Sequence, residues 1–311
     1  MFENDLFGDT DQQYTNGIQI GWLSPDVTHY AHAPQLPTWL LRIGSKLPFV
    51  NRPKRQHNVG IALGQQIFTP QNTRLSTLIG DDHPYAGWLY GSSSFISKTD
   101  NQLDIFEIQA GVVEPWSLAE EAQNLVHELR DLPTAKGWSN QLENEPGLEF
   151  IYQHKQRMLR STNPRGWGYD VISHLGGAAG NVLSYLDAGA EMRAGWNLPA
   201  DYGTSLIEPG GDTNAPSSVN DPRLRNHDRF GAHLFAGLSG RYVVRDIFLD
   251  GNTFSDSHEI DKEPWVGDFV VGASITLYRA KLSYSQAFRT REFEHQPHRH
   301  NFGSLTIAWT F

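Results

Sequence analysis

A period-two alternation, sustained over unusually long runs, constrains this chain more than any other feature. Between Asn181 and Asn197, Val182, Leu186, Ala188, Ala190, Met192, Ala194 and Trp196 share one parity, and Asp187, Gly189, Glu191, Arg193 and Gly195 the other. Successive side chains of a strand point to opposite faces, so one face is apolar and the other carries charges in mid-strand. The stretch 265–277 repeats this, with Trp265, Gly267, Phe269, Val271, Ala273, Ile275 and Leu277 against Asp268, Ser274 and Thr276. The last residues set Leu305, Ile307, Trp309 and Phe311 against Ser304, Thr306 and Thr310. Strands of soluble sandwiches run about 5–6 residues. Strands of about 9–11 residues with aromatics at their ends suit a barrel in lipid. The expected fold is all-β: a single domain over residues 1–311, a twelve-stranded antiparallel transmembrane β-barrel with one external loop helix.

Composition agrees once the period is known. Mean hydropathy is −0.47, which by itself suggests a soluble protein, yet aromatic residues reach 12%. A barrel strand needs only every second residue apolar, and this dilutes the average. No run approaches the roughly 18 apolar residues of a spanning helix; the best, Phe269 to Tyr278, falls well short. Net charge is −10 with no basic tract, which argues against nucleic acid as a partner. Cysteine is absent, so disulfides, thiolate metal sites and a cysteine nucleophile are excluded. The opening residues lack a charged segment followed by an apolar one, so the chain is expected to be either cytoplasmic or a processed mature form.

Twelve strands are expected at 2–8, 13–23, 57–67, 86–97, 102–113, 147–158, 181–197, 229–238, 241–251, 265–277, 279–290 and 300–311. The stretch 167–176 also alternates, but parity argues against it. With the C-terminus taken as periplasmic, the twelve-strand arrangement puts the tight links 98–101, Ser239-Gly240 and Tyr278-Arg279 inside. It sends the long loops 68–85, 114–146, 198–228 and 252–264 outside, the asymmetry such barrels show. The long connections 24–56 and 159–180 then fall inside, against that trend.

One segment reads as a helix: AEEAQNLVHELRD, residues 119–131. Ser117 and Glu120 have capping-box spacing, and Leu118, Ala122, Leu125 and Leu129 form an apolar stripe. The opposite face carries Glu120, Gln123, His127 and Arg130, with Gln123 and His127 one turn apart. A histidine on a loop helix is by itself ordinary surface. Near the N-terminus, Asn4-Asp5, Thr10-Asp11 and Tyr14-Thr15-Asn16-Gly17 crowd oxygen donors of the kind calcium takes; the same residues also make a hairpin turn.

The stretches ENDLFGDTDQQYTNG, GDDHPYAGWLY, EEAQNLVHELRDLPTAKGWSNQLENEPG, IFLDGNTF and TREFEHQPHRHNFGSL, spread from residue 3 to 305, resemble the outer-membrane lipid A 3′-O-deacylase family. The resemblance implies an outer-membrane location in a Gram-negative bacterium, a site between the barrel wall and an external helix, a bound Ca2+, and hydrolysis of the 3′-linked acyl chains of lipid A within lipopolysaccharide. By position it implies catalytic roles for His127, Gln123 and Asn4, and metal ligation by Asp5 and Thr15. No G-x-S-x-G elbow occurs in the chain, so a water activated by His127 is expected, with Gln123 orienting it, Asn4 donating to the oxyanion and calcium polarising the carbonyl. A supporting acid is expected at Glu128 or Asp131. Where the family commonly has arginine before Pro-Tyr-Ala-Gly, this chain has His83, which bears on a phosphate contact. Arg74, Arg130 and Lys136 are further phosphate candidates, and Asp81 and Asp82 either extend the calcium site or solvate their loop. A monomer is expected. The alternatives are an outer-membrane phospholipase, a non-catalytic porin-like barrel and a soluble sandwich. Inward Glu191, Arg193, Arg241 and Arg245 favour a lumen filled by pairing.

Overall fold

A computed structural model describes residues 1–5, 13–26, 38–47, 54–204, 206–207, 214–218, 220–225 and 229–311. Twelve antiparallel strands close into a barrel: β1 (Phe2–Asn4), β2 (Gln13–Leu23), β3 (Gln56–Thr69), β4 (Ala86–Lys98), β5 (Gln102–Val113), β6 (Glu145–Thr162), β7 (Trp167–Gly180), β8 (Leu183–Trp196), β9 (Phe230–Asp246), β10 (Trp265–Leu277), β11 (Ala280–Arg289) and β12 (His300–Trp309). The short β1 closes the ring, pairing with β12 through Phe2–Leu305 and with β2 through Phe2–Ile18. Closure leaves no open sheet edge, the condition for a sheet to span lipid. Alternation sets the two faces. Leu186, Met192, Leu234, Leu238, Ile275, Leu277, Ile307 and Trp309 are exposed on the outer wall, while Asp187, Arg193, Arg241, Asp268, Ser274 and Thr276 are buried in the lumen.

Two strand assignments differ from the sequence expectation, and they cancel in the count. Residues 167–176 do form a strand, β7, paired along its length with β6 and β8. Its Gly-Gly-Ala-Ala-Gly end carries little apolar signal, because neighbouring backbone lies against it: a Cβ on Gly176 would sit 2.7 Å from the Tyr152 carbonyl oxygen. Conversely, 229–238 and 241–251 are not separate strands. Ser239-Gly240 has turn chemistry, yet it runs straight through β9, with Ser239 opposite Gly189 and Asp268.

These two changes reverse the directions of 183–196 and of 230–238 and move the loop 197–229 to the rim that carries the chain termini, so 198–228 is not external. The long link expected at 159–180 reduces to residues 163–166. The connection 24–55 keeps its unexpected length at the terminal rim; its described part includes α1 (Thr38–Lys46). Three of the four tight turns, 99–101, 163–166 and 278–279, lie at the terminal rim. Short turns mark the periplasmic end of such barrels, so the opposite rim is external.

The described part of the displaced loop enters the lumen. Asp201, fully buried, accepts hydrogen bonds from Arg193 at 2.5 Å, Lys281 at 2.8 Å and Arg223 at 3.2 Å. Arg193 reaches on to Asp170 at 2.5 and 2.8 Å, and the Tyr202 hydroxyl donates to the Thr99 carbonyl at 2.5 Å. A barrel of about eight strands is filled by its own side chains. Here the wider ring is closed by an inserted loop held on charge-assisted hydrogen bonds. Arg241 pairs with Asp268 at 3.1 Å, and Glu191 accepts from the Thr204 backbone, as the inward charges lead one to expect.

Candidate active site

The external helix α2 (Ala119–Leu129) lies on the outer face of β3 and β4. The row Ile61, Leu63, Gln65, Ile67, Thr69 points outward along β3; its lower members are exposed, and Ile67 and Thr69 are buried. Ala119 and Trp138 pack on Ile67, with Tyr85 and Ala135 beside them. Gly87 permits the close approach, since a Cβ there would come within 2.3 Å of Ser117 Oγ and 2.4 Å of Ala119 Cβ. Gln65 Nε2 ties the helix entry to the wall by donating to the Ser117 carbonyl at 2.7 Å.

The helix is inverted relative to one that packs on a core. Gln123 and His127 are only 3% and 4% exposed, whereas Leu118, Leu125 and Leu129 are 53%, 57% and 77% exposed. The leucine stripe therefore faces away from the protein and the polar residues face the wall. The capping box expected from Ser117 and Glu120 does not form. Leu118 is the N-cap, in the left-handed region at φ 57°, with no side-chain cap. Ser117 Oγ is buried without a hydrogen-bond partner among the described residues. Two left-handed residues, Glu114 and Leu118, turn the chain too tightly for the extended N-cap that the motif requires.

At the other end the chain reverses at Asp131, φ 54°. The backbone N–H of Leu132 donates to the His127 carbonyl at 2.8 Å and that of Asp131 to Glu128 at 3.3 Å, the paired bonds of a Schellman motif. Asp131, one of the two acids considered for the site, thus occupies the left-handed position that glycine usually takes. The reversal brings the Pro133 carbonyl to 2.7 Å from His127 Nδ1. A carbonyl only accepts, so Nδ1 carries the proton in this contact and the neutral ring's lone pair lies on Nε2. Gln123 is oriented likewise: Trp138 Nε1 donates to its Oε1 at 3.0 Å, which leaves its Nε2, without a hydrogen-bond partner among the described residues, as the donor.

On the wall, Glu3 faces inward, accepting from the Tyr14 hydroxyl at 2.9 Å and the Ile207 backbone at 2.9 Å. Alternation turns Asn4 outward, opposite Asn16. The register slips between Tyr14 and Asn16, so Thr15 is a bulge residue. Bulges re-aim side chains, and Thr15 Oγ1 lies 2.7 Å from Thr69 Oγ1 on the covered outer row. Asn4, Asp5 and Thr15 are all buried. The structure thus gathers Asn4 and Thr15, on β1 and β2, onto the same outer face and external half as Gln123 and His127 above β3 and β4. Asp5 follows Asn4 directly.

Other expectations change. His83 lies on the inner side, stacked on Phe68 at 5.4 Å, with its Nδ1 2.7 Å from the Pro84 carbonyl; burial pushes its pKa down, so a phosphate contact beside α2 is not its place. Asp82 accepts from the Gln71 and His83 backbones at 2.7 and 2.8 Å and so braces its loop from a buried position instead of solvating it, while Asp81, Arg74, Arg130 and Lys136 are exposed. Sequence reasoning missed Trp138, Thr69, the Pro133 carbonyl and Glu114. Glu114 is buried at the end of β5 and accepts from the Gly87 backbone; burial raises its pKa well above the ordinary glutamate value, and Glu120 adds to this. A tryptophan in a loop rich in turn residues was the one available signal, because a buried indole N–H needs an acceptor.

A closed lipid-facing barrel whose external helix buries a glutamine and a histidine against the outer wall defines an outer-membrane protein with a candidate site at the lipid boundary. A family model described as "Outer membrane protein LpxR" matches residues 1–311, and the chain belongs to that family, which places it in the outer membrane of a Gram-negative bacterium. Among solved structures it is similar to LpxR from Salmonella typhimurium, with a TM-score of 0.76 and 18% identity over 100% of this chain and 98% of that one. No curated protein matches the chain.

Proposed function

We propose that this protein is an esterase of the outer leaflet that removes the 3′-linked acyl chains of lipid A, with water activated by His127 as nucleophile. The burial of Gln123 and His127 against the wall, on a helix whose leucines face outward, supports this reading most directly. A helix gains nothing in packing by hiding its polar face and exposing Leu125 and Leu129, unless the hidden face works on a substrate and the leucines meet acyl chains.

In this reading the Pro133 carbonyl holds the Nδ1 proton, and Nε2 takes a proton from water as its oxygen attacks the ester carbonyl carbon. The Gln123 amide, held by Trp138, orients that water, and the Asn4 side-chain amide donates to the developing oxyanion. The imidazolium then returns its proton to the departing sugar oxygen as the carbon–oxygen bond breaks, leaving a sugar hydroxyl and a fatty acid that ionises by releasing its proton to water. The donors on the wall, Asp5, Thr15, Thr69 and Asn4, are all hard oxygens and fit calcium in kind, although no cluster of three or more acidic or histidine side chains suited to a metal occurs among the described residues. Asp5 and Thr15 would hold the ion, which when bound polarises the ester carbonyl.

The test is incubation of the purified barrel with lipopolysaccharide and, separately, with phospholipid, with and without a chelator, read by mass spectrometry. Loss of acyl chains from lipid A alone, abolished by chelator, is expected. His127→Gln should lower turnover by about a hundredfold or more while the barrel still folds. Near-normal turnover in that variant, or release from phospholipid alone, rejects the proposal.

A further inference from the structure

On the far side of the barrel from α2, a groove of about 810 Å³ opens on the external half of the lipid-facing wall. Its floor is backbone. Gly240 and Gly267 face each other across β9 and β10; a Cβ on Gly240 would meet nothing within 4 Å, and one on Gly267 nothing nearer than 3.6 Å. Below them on the same rows, Leu238 and Phe269 are exposed. One flank is Trp265, 70% exposed and packed on Tyr242 at 4.9 Å between centroids, an aromatic pair at interfacial height. The other flank is the loop 290–299, which presents Arg291, His298 and Arg299, all exposed.

The charges of this flank are poorly balanced. Two neighbouring acids turn inward, Glu292 to Arg289 at 3.1 Å and to His300 at 3.6 Å, and Asp268 to Arg289 at 2.7 Å and to Arg241 at 3.1 Å; Glu294 of the same loop is exposed but lines a different pocket, beside Arg245 and Lys262. Among the described residues Glu263 is the one acid lining the groove, against two guanidinium groups and an imidazole. Guanidinium groups at headgroup height above a bare apolar wall are what a phosphorylated lipid fits: the phosphate meets planar donors and the acyl chain covers the glycines.

We propose that this groove binds, without cleaving it, one phosphorylated lipid A molecule of the outer leaflet, its phosphate on Arg291 and Arg299 and an acyl chain laid over Gly240 and Gly267. The site is separate from α2 and independent of the esterase reading. A zwitterionic phospholipid brings an ammonium group with its phosphate and so matches this excess of positive charge less well.

The experiment is native mass spectrometry of the full-length barrel in detergent, titrated with bisphosphorylated lipid A, the same lipid dephosphorylated, or phosphatidylethanolamine. Wild type is expected to bind one lipid A more than the variant Arg291→Ala/Arg299→Ala, whose affinity at this site falls about tenfold or more. Gly240→Leu keeps every charge, points into open space and fills the floor, and should lose the same lipid. Dephosphorylated lipid A and phosphatidylethanolamine should leave the groove largely empty. Deacylation by either variant should match wild type; a barrel inactive in every form leaves the lipid count readable. Unchanged lipid A occupancy in the variants, equal binding of phosphatidylethanolamine, or deacylation lost together with the bound lipid overturns the proposal.

Discussion

Pro133 contributes only a carbonyl, yet that carbonyl decides which nitrogen of His127 bears the proton. That Gln123 and His127 share one helix face was legible in the sequence, because residues one turn apart require nothing but helical periodicity, whereas their candidate roles came from the family resemblance. Their supports were not, since a carbonyl has no residue identity and Trp138 reaches Gln123 only after the chain has reversed at Asp131. Glu114 makes the same point with a measurable consequence. Burial holds its carboxyl protonated above the range where an unfolded glutamate ionises. Within that window the folded protein keeps a proton the unfolded chain has released. Its stabilising effect is therefore full below the ordinary glutamate value and is lost as pH rises through the raised one. Glu114→Gln keeps the acceptor for the Gly87 N–H and removes the titration. Urea midpoints in detergent should fall with rising pH above the ordinary glutamate range in the wild type and less steeply in the variant; parallel pH profiles would show that this carboxyl does not titrate as its burial requires.

At the scale of elements, the helix was found by its period but its start was misread, because capping-box spacing says nothing about the φ of its first residue. In the structure the turn at Leu118 leaves Ser117 Oγ buried and, among the described residues, unbonded. Ser117→Ala should therefore change stability by less than about 0.5 kcal/mol, or raise it slightly, since a buried hydroxyl without a partner is removed. Loss of a working N-cap would cost about 1 kcal/mol, and a loss of that size in denaturant titration would restore the capping box. The strands carry a parallel lesson. Ser239-Gly240 has the composition of a turn, but the outer wall accepts a glycine because lipid, not protein, lies beyond it. In β7 the glycines that erased the alternation are the ones pressed against neighbouring backbone. Turn chemistry and strand chemistry overlap most where side chains are small, and that is where two boundaries were lost.

For the whole molecule, the twelve-strand count was right while the directions of 181–197 and 229–238 were wrong, and the consequence falls on the loop 197–229. Alternation fixes which face of each strand meets lipid, but it carries no information about which rim a loop leaves from. That loop enters the barrel and centres on Asp201, whose carboxylate is shared by Arg193, Arg223 and Lys281. The arrangement argues against a passive pore, because the described part of the loop sets a salt-bridged segment across the lumen. Asp201→Ala would leave Lys281 without a carboxylate beside two buried guanidinium groups, Arg193 still held by Asp170 and Arg223 by Asp221. Removing one partner of a buried pair costs about 3–5 kcal/mol, and here the least costly relief is for the loop to leave the lumen and let water reach the cations. Wild-type protein in planar bilayers should show no sustained conductance, and Asp201→Ala should open steps of ionic current while heat-modified gel mobility still reports a folded barrel. A variant as silent as wild type, with the loop still protected from protease, would show that the plug is held by packing and the backbone hydrogen bonds around Tyr202 instead of by this carboxylate.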